Sequence, residues 1–177
     1  MKFFNKLLLS FSLLWLIFVA NTAIAQSSMS FKIDGNNFMG TVETATLINI
    51  NEENYIQIKA VNKERLVFLY LKEKLLKGEF PVTLKYKAHD HEKGQTPDAE
   101  LVWAPGGGEQ PPWNTIEGEA VITLYDSLAK TVSGTFNFVV QKQDFSTKKD
   151  QKKERVDIEK GMISNIQFVV DATSEVK

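Results

Sequence analysis

Two hydrophobic patterns divide the chain. Residues 7–20 (LLLSFSLLWLIFVA) are apolar almost without a break. After Gln26 the pattern becomes an alternation of period two, the signature of strands with one buried face. Residues 55–61 (YIQIKAV) set Ile56, Ile58 and Ala60 on one face, with Gln57 and Lys59 on the other. Residues 131–141 (TVSGTFNFVVQ) align Val132, Gly134, Phe136, Phe138 and Val140 against Ser133, Thr135 and Asn137. Asp34-Gly35-Asn36-Asn37 separates residues 29–33 from 37–41, and Gly and Asn tolerate the positive φ of a hairpin turn. Further strands are predicted over 43–50, 65–71, 79–86, 116–125, 154–159 and 163–170. Residues 65–71 (RLVFLYL) are apolar on both faces, which predicts a strand covered on two sides. Lys72 to Lys77 (KEKLLK) reads as a charged connection with one helical turn. The expected fold is all-β: an antiparallel β-sandwich or barrel-like meander of about nine or ten strands. Residues 26–177 form its single β-domain, with a core at 29–170, a long loop at 88–115 and a tail at 171–177.

The leading apolar stretch is too short to span a bilayer: 14 residues make a helix of about 21 Å, against a hydrocarbon core of roughly 30 Å. Lys2 and Lys6 precede it, and Ala23-Ile24-Ala25 follows with small residues at the −3 and −1 positions of a cleavage site. Residues 1–25 therefore read as a signal peptide cut between Ala25 and Gln26. The expected destination is exported, either periplasmic or secreted. No other segment is long and apolar enough to cross a membrane as a helix.

Composition narrows the function. Hydrophobic residues make up 43% of the 177, too many for wholesale disorder. Lys and Arg total 21 against 22 Asp and Glu, so no basic excess points to nucleic acid. Residues 1–25 hold two lysines and no acid, so removing them leaves 152 residues with net charge −3. The chain has no cysteine, which excludes disulfides, thiol catalysis, cysteine-ligated metals and a lipid anchor carried on a cysteine.

Several pieces in order resemble a known family. These are Phe31-Lys32-Ile33-Asp34-Gly35-Asn36-Asn37-Phe38, Gly78-Glu79-Phe80-Pro81-Val82 and Gly118-Glu119-Ala120-Val121-Ile122-Thr123-Leu124-Tyr125. Val132-Ser133-Gly134-Thr135-Phe136-Asn137-Phe138 and Lys160-Gly161-Met162-Ile163-Ser164-Asn165-Ile166 follow. Together they resemble a family of small exported all-β domains of Bacteroidota, catalogued as a domain of unknown function and including many lipoproteins. The resemblance spans roughly 29–170 and implies an exported β-sandwich-like fold. It brings no catalytic residues. The chain departs from it in lacking the lipoprotein cysteine and in its long 88–115 segment.

That segment holds the candidate ligand-binding residues. Trp103 and Trp113 bracket a Gly/Pro-rich turn, and exposed indoles stack on sugar faces or apolar ligands. The structural alternative is that both rings pin the loop to the sheet. Trp113 is the better ligand candidate, because Glu100-Leu101-Val102-Trp103 itself has strand character. His89 and His91 lie two apart and would share a strand face, where with Asp90 or Glu92 they could ligate a divalent metal. A solvated polar turn is the simpler reading, since no third ligand of clear spacing follows. Residues 142–155 carry six basic and three acidic side chains, a basic tip or a solvated hairpin loop.

No nucleophile elbow, phosphate loop or dinucleotide fingerprint occurs. A carboxylate-pair glycosidase needs no local motif; Glu117 and Glu119 lie two apart on one strand face, but exposed acids on a solvent face explain them better. The resulting expectation is a non-catalytic ligand-binding or structural envelope domain without a cofactor, whose ligand is a glycan or a small apolar molecule. A carboxylate- or metal-dependent hydrolase and a small lipocalin-like carrier are the alternatives. The first test is processing: the exported protein should begin at Gln26 by intact mass, and a mass retaining residues 1–25 would refute the cleavage assignment.

Overall fold

The computed structural model describes residues 27–86, 96–106, 109–143 and 154–170. The segment expected as a signal, with Ala25 and Gln26, the histidine run at His89 and His91 and the tail at 171–177 lie outside these residues. Among the described residues ten strands form: β1 (Ser28–Ile33), β2 (Asn36–Ile50), β3 (Glu53–Asn62), β4 (Arg65–Lys72), β5 (Val82–Tyr86), β6 (Ala99–Ala104), β7 (Trp113–Asp126), β8 (Thr131–Lys142), β9 (Arg155–Gln167) and β10 (Val169–Val170). The order β1-β9-β8-β7-β6-β4-β3-β2 closes on itself through antiparallel β1–β2 pairing, giving an eight-stranded barrel. Of the two expected architectures, the barrel is the one formed. Two strands lie off it: β5 pairs with β7, and β10 pairs in parallel with β2. A short 3-10 helix, Glu73–Lys77, follows β4 and sinks Leu76 into the core.

The interior follows from strict alternation on β8. Val132, Gly134, Phe136, Phe138 and Val140 are all buried, while Thr135 and Asn137 face outward. Its neighbours do not keep that phase. Between Val132 and Phe138 of β8, strand β9 twice spends three residues opposite two; β7 carries one extra residue opposite Ser133 and Gly134 and another opposite Val139 and Val140. These bulges let long strands bend around a closed wall. Glycines complete the bend. Gly118 faces Phe138 across β7–β8, and Gly161 faces Phe136 across β8–β9. A Cβ at Gly161 would collide with the Phe136 ring, and one at Gly118, whose φ is +141°, with Phe138 and the Asn137 carbonyl. Each ring occupies the space its partner's missing side chain leaves.

Three more core aromatics gather around Phe136. Phe31 stacks on Phe38 with centroids 4.4 Å apart, and Trp103 meets both edge-on at 6.1 and 5.5 Å. Phe136 lies 6.0 Å from Phe31. Such pairs contribute about 0.5–1.5 kcal/mol each beyond simple burial.

The bulges also explain where the expected boundaries shift. Residues 37–41 and 43–50 are one strand, because a bulge between Val42 and Thr44 moves the buried phase from Phe38 and Gly40 to Ala45. Residues 154–159 and 163–167 likewise join into β9, whose inward positions slip from Ile158 to Gly161 and Ile163, then to Ile166. The strand expected from 79 begins at Val82. Residues 65–71 form β4 as expected, with Val67, Leu69 and Leu71 buried; its other face is half-buried on the barrel's outside.

This packing predicts a double-mutant cycle measured by urea unfolding. Phe136→Ala should cost about 3–5 kcal/mol as a large-to-small core substitution. Gly161→Ala should cost about 1–3 kcal/mol in the parent through overpacking, and clearly less in the Phe136→Ala background. Equal costs in both backgrounds would disconnect the glycine from the ring.

Candidate functional site

Strands β5, β7, β8 and β9 lie side by side and share a groove of about 570 Å³. Register brings its polar residues together. Lys85 pairs with Glu119, which pairs with Asn137; one step along, Glu117 pairs with Val139, which pairs with Asp157. Glu159 completes the lining. Four carboxylates thus face one ammonium, a formal −3 in one concavity. Asn137 is held in place: its Oδ1 accepts the Lys160 N–H at 2.9 Å, where Lys160 takes a positive φ of 52°. Tyr86 borders the groove, and burial raises its hydroxyl above the usual phenol range, with Glu100 adding to the effect. The arrangement offers hydrogen-bond acceptors, one amide and one cation along an open surface. Among the described residues no three His, Cys, Asp or Glu side chains converge to hold a metal ion.

The sequence-predicted tryptophans sit elsewhere. They pair with each other across β6–β7. Trp103 is 5% exposed and meets the stacked Phe31–Phe38 pair edge-on, so its ring belongs to the core. Trp113 is half-buried against that core, and the Lys142 ammonium lies 5.9 Å from its ring centroid. Lys142 also pairs with Glu154 at 3.5 Å, so the base of the basic tip is braced by an acid. His89 and His91 fall outside the described residues. Glu117 and Glu119 are the pair from the sequence that the groove includes; Lys85, Asn137, Asp157 and Glu159 join them only through strand order, which no local pattern encodes.

At one end of the wall β6 and β7 part. They share only Val102–Asn114 and Trp103–Trp113. Beyond these pairs, Thr115 fills the gap with its hydroxyl, which accepts from Leu101 N–H at 2.9 Å and donates to the Leu101 carbonyl at 2.6 Å. β5 then takes the place beside β7. The entry to β6 is pinned by Tyr55, whose hydroxyl donates to the Pro97 carbonyl at 2.8 Å, and by buried Lys72, which donates to the Thr96 carbonyl at 2.8 Å. The 3-10 helix is fixed similarly. The Tyr125 hydroxyl donates to Glu73 Oε1 at 3.1 Å, and the Tyr125 ring stacks on Phe168 at 6.0 Å.

The chain matches no family model, no curated protein and no solved structure. Among the described residues no helix is long and apolar enough to cross a membrane.

Burial pushes Tyr125 up to about 12, helped by the negative charge of Glu73, and burial likewise pushes Tyr55 up to about 12. Both hydroxyls therefore stay protonated in the fold when an unfolded chain, with ordinary phenols near 10, would ionise. Their contribution to stability is complete below pH 10 and disappears as pH rises toward about 12. Tyr125→Phe keeps the ring stack and loses the bond to Glu73. At pH 8 it should unfold at lower urea, by about 0.5–1.5 kcal/mol. By pH 11 the gap to the parent should shrink; a constant gap would contradict the assignment.

Proposed function

We propose that the protein is an exported, non-catalytic binding domain that holds a hydroxylated ligand, a glycan or fragment of one, in the groove across β5, β7, β8 and β9. The observation that carries this reading is the contrast between the two faces of the wall. The inner face is taken up by Phe31, Phe38, Trp103 and Phe136, all buried, whereas the groove is open and sets carboxylates, an amide and a lysine beside Tyr86, Phe138 and Ile158. Carboxylates and amides are suited to sugar hydroxyls because each offers several hydrogen-bond positions in a fixed plane. With Val139, the Tyr86, Phe138 and Ile158 side chains add an apolar surface of the kind that packs against the C–H faces of a sugar ring. Export rests on the leader at residues 1–25, and the likeness to the Bacteroidota family agrees with it.

Two other readings keep specific support. A lipocalin-like carrier is compatible with a closed eight-stranded barrel, and would need room among the interior aromatics. A carboxylate hydrolase would use Glu117 and Glu119, which border the same groove.

A glycan array followed by titration calorimetry separates the three. We expect a bound glycan, recovered uncleaved, with affinity reduced at least about tenfold, or 1.4 kcal/mol, by Glu119→Ala and by Asp157→Ala. Both side chains face the groove and anchor no core packing. Cleavage of the sugar would select the hydrolase. Displacement of an apolar dye, with no glycan bound, would select the carrier.

A further inference from the structure

With no cysteine in the chain, its sulfur chemistry rests on four methionines, three of which lie among the described residues. Their placement is sharply divided. Met29 is fully buried in the core, whereas Met39 is 71% exposed and Met162 52% exposed. The two exposed residues are not scattered. Ser30 of β1 pairs with Met39 of β2 on one side and with Met162 of β9 on the other. With strands about 4.8 Å apart, their Cα atoms are separated by about 10 Å across a small serine. The row continues outward-facing through Thr135, Val121 and Thr83. It carries no charge from Met39 to Thr83, in a protein where 24% of residues are charged. The two thioethers are therefore the most polarisable groups on a neutral strip of the wall.

We infer that Met39 and Met162 form a reversible oxidation site that responds to peroxide or hypohalous acid. With hydrogen peroxide, a thioether lone pair attacks one peroxide oxygen. A sulfur–oxygen bond forms, the oxygen–oxygen bond breaks and water leaves. The sulfur loses two electrons and the peroxide gains them. The product is a sulfoxide, polar and hydrogen-bond accepting where the thioether was apolar. Because both side chains point to solvent, no polar atom is forced into the core and the barrel keeps its fold. Met29 is shielded, since an oxidant reaches it only when the core opens. A thiol-driven sulfoxide reductase restores both sites: two thiols supply two electrons and two protons, the sulfur–oxygen bond breaks, the oxygen leaves as water and the thiols become a disulfide. Oxidation thus changes the polarity of one face of the barrel and leaves the groove residues untouched.

The test is graded hydrogen peroxide on the purified protein, read by peptide mass spectrometry, thermal unfolding and retention on a hydrophobic column. Met39 and Met162 should each gain one oxygen at least about ten times faster than Met29. The unfolding midpoint should stay in place while retention shortens, and a methionine sulfoxide reductase pair with dithiothreitol should reverse both mass and retention. The Met39→Leu, Met162→Leu double variant, which keeps the apolar volume, should show no retention change with peroxide. The inference fails if Met29 reacts as fast as the exposed pair, if unfolding accompanies the first oxygens, if the reductase does not reverse the change, or if the double variant still responds.

Discussion

Phe136 and Phe138 point inward from a strand that never loses its period of two, and each lies against a glycine of a neighbouring strand. A flat sheet has no use for that arrangement, because a side chain on every residue would pack equally well. A closed eight-stranded wall bends tightly, and the inner side chains crowd as it closes. Removing the Cβ at Gly118 and Gly161 makes room, and the rings refill it, so curvature is gained without a void. The bulges of β7 and β9 flank the same strand and supply the extra length that an outer path requires. Phe31, Phe38 and Trp103 then close over Phe136 from the β1, β2 and β6 side. Strand β8 is in this sense the straight member around which the others curve.

The groove is a product of the same bend. Gly118 sits in its floor with a backbone that only glycine adopts readily, and the bulge just before Glu117 sets the outward direction of Glu117 and Glu119. Packing inside the wall and chemistry outside it are therefore linked through a few residues of β7. The aromatic face of Gly118 belongs to the core, and its opposite face belongs to solvent.

Much of this was legible in the residues alone. The alternations at 55–61 and 131–141 identified inward and outward faces that the barrel reproduces, and the Asp-Gly turn placed the first hairpin. Strands with bulges were harder to read. In β2 and β9 the buried phase slips by one residue, and a pattern that changes phase looks like two short strands. The groove was the least visible feature. Glu117 and Glu119 are neighbours on one strand, but Asp157 lies forty residues from Glu117 and meets it only through Val139, across two ladders. Trp103 and Trp113 were conspicuous for the opposite reason: large aromatics stand out in a sequence whether they serve a ligand or the core.

The joint between β6 and β7 distinguishes closure in topology from closure in strength. Every other junction of the barrel is a ladder of five or more residue pairs, whereas this one holds two, with a single threonine hydroxyl beyond them. Local opening follows the fewest cooperative contacts. The cylinder accordingly has a longitudinal slit in waiting: of its junctions, the one between β6 and β7 is the first to part.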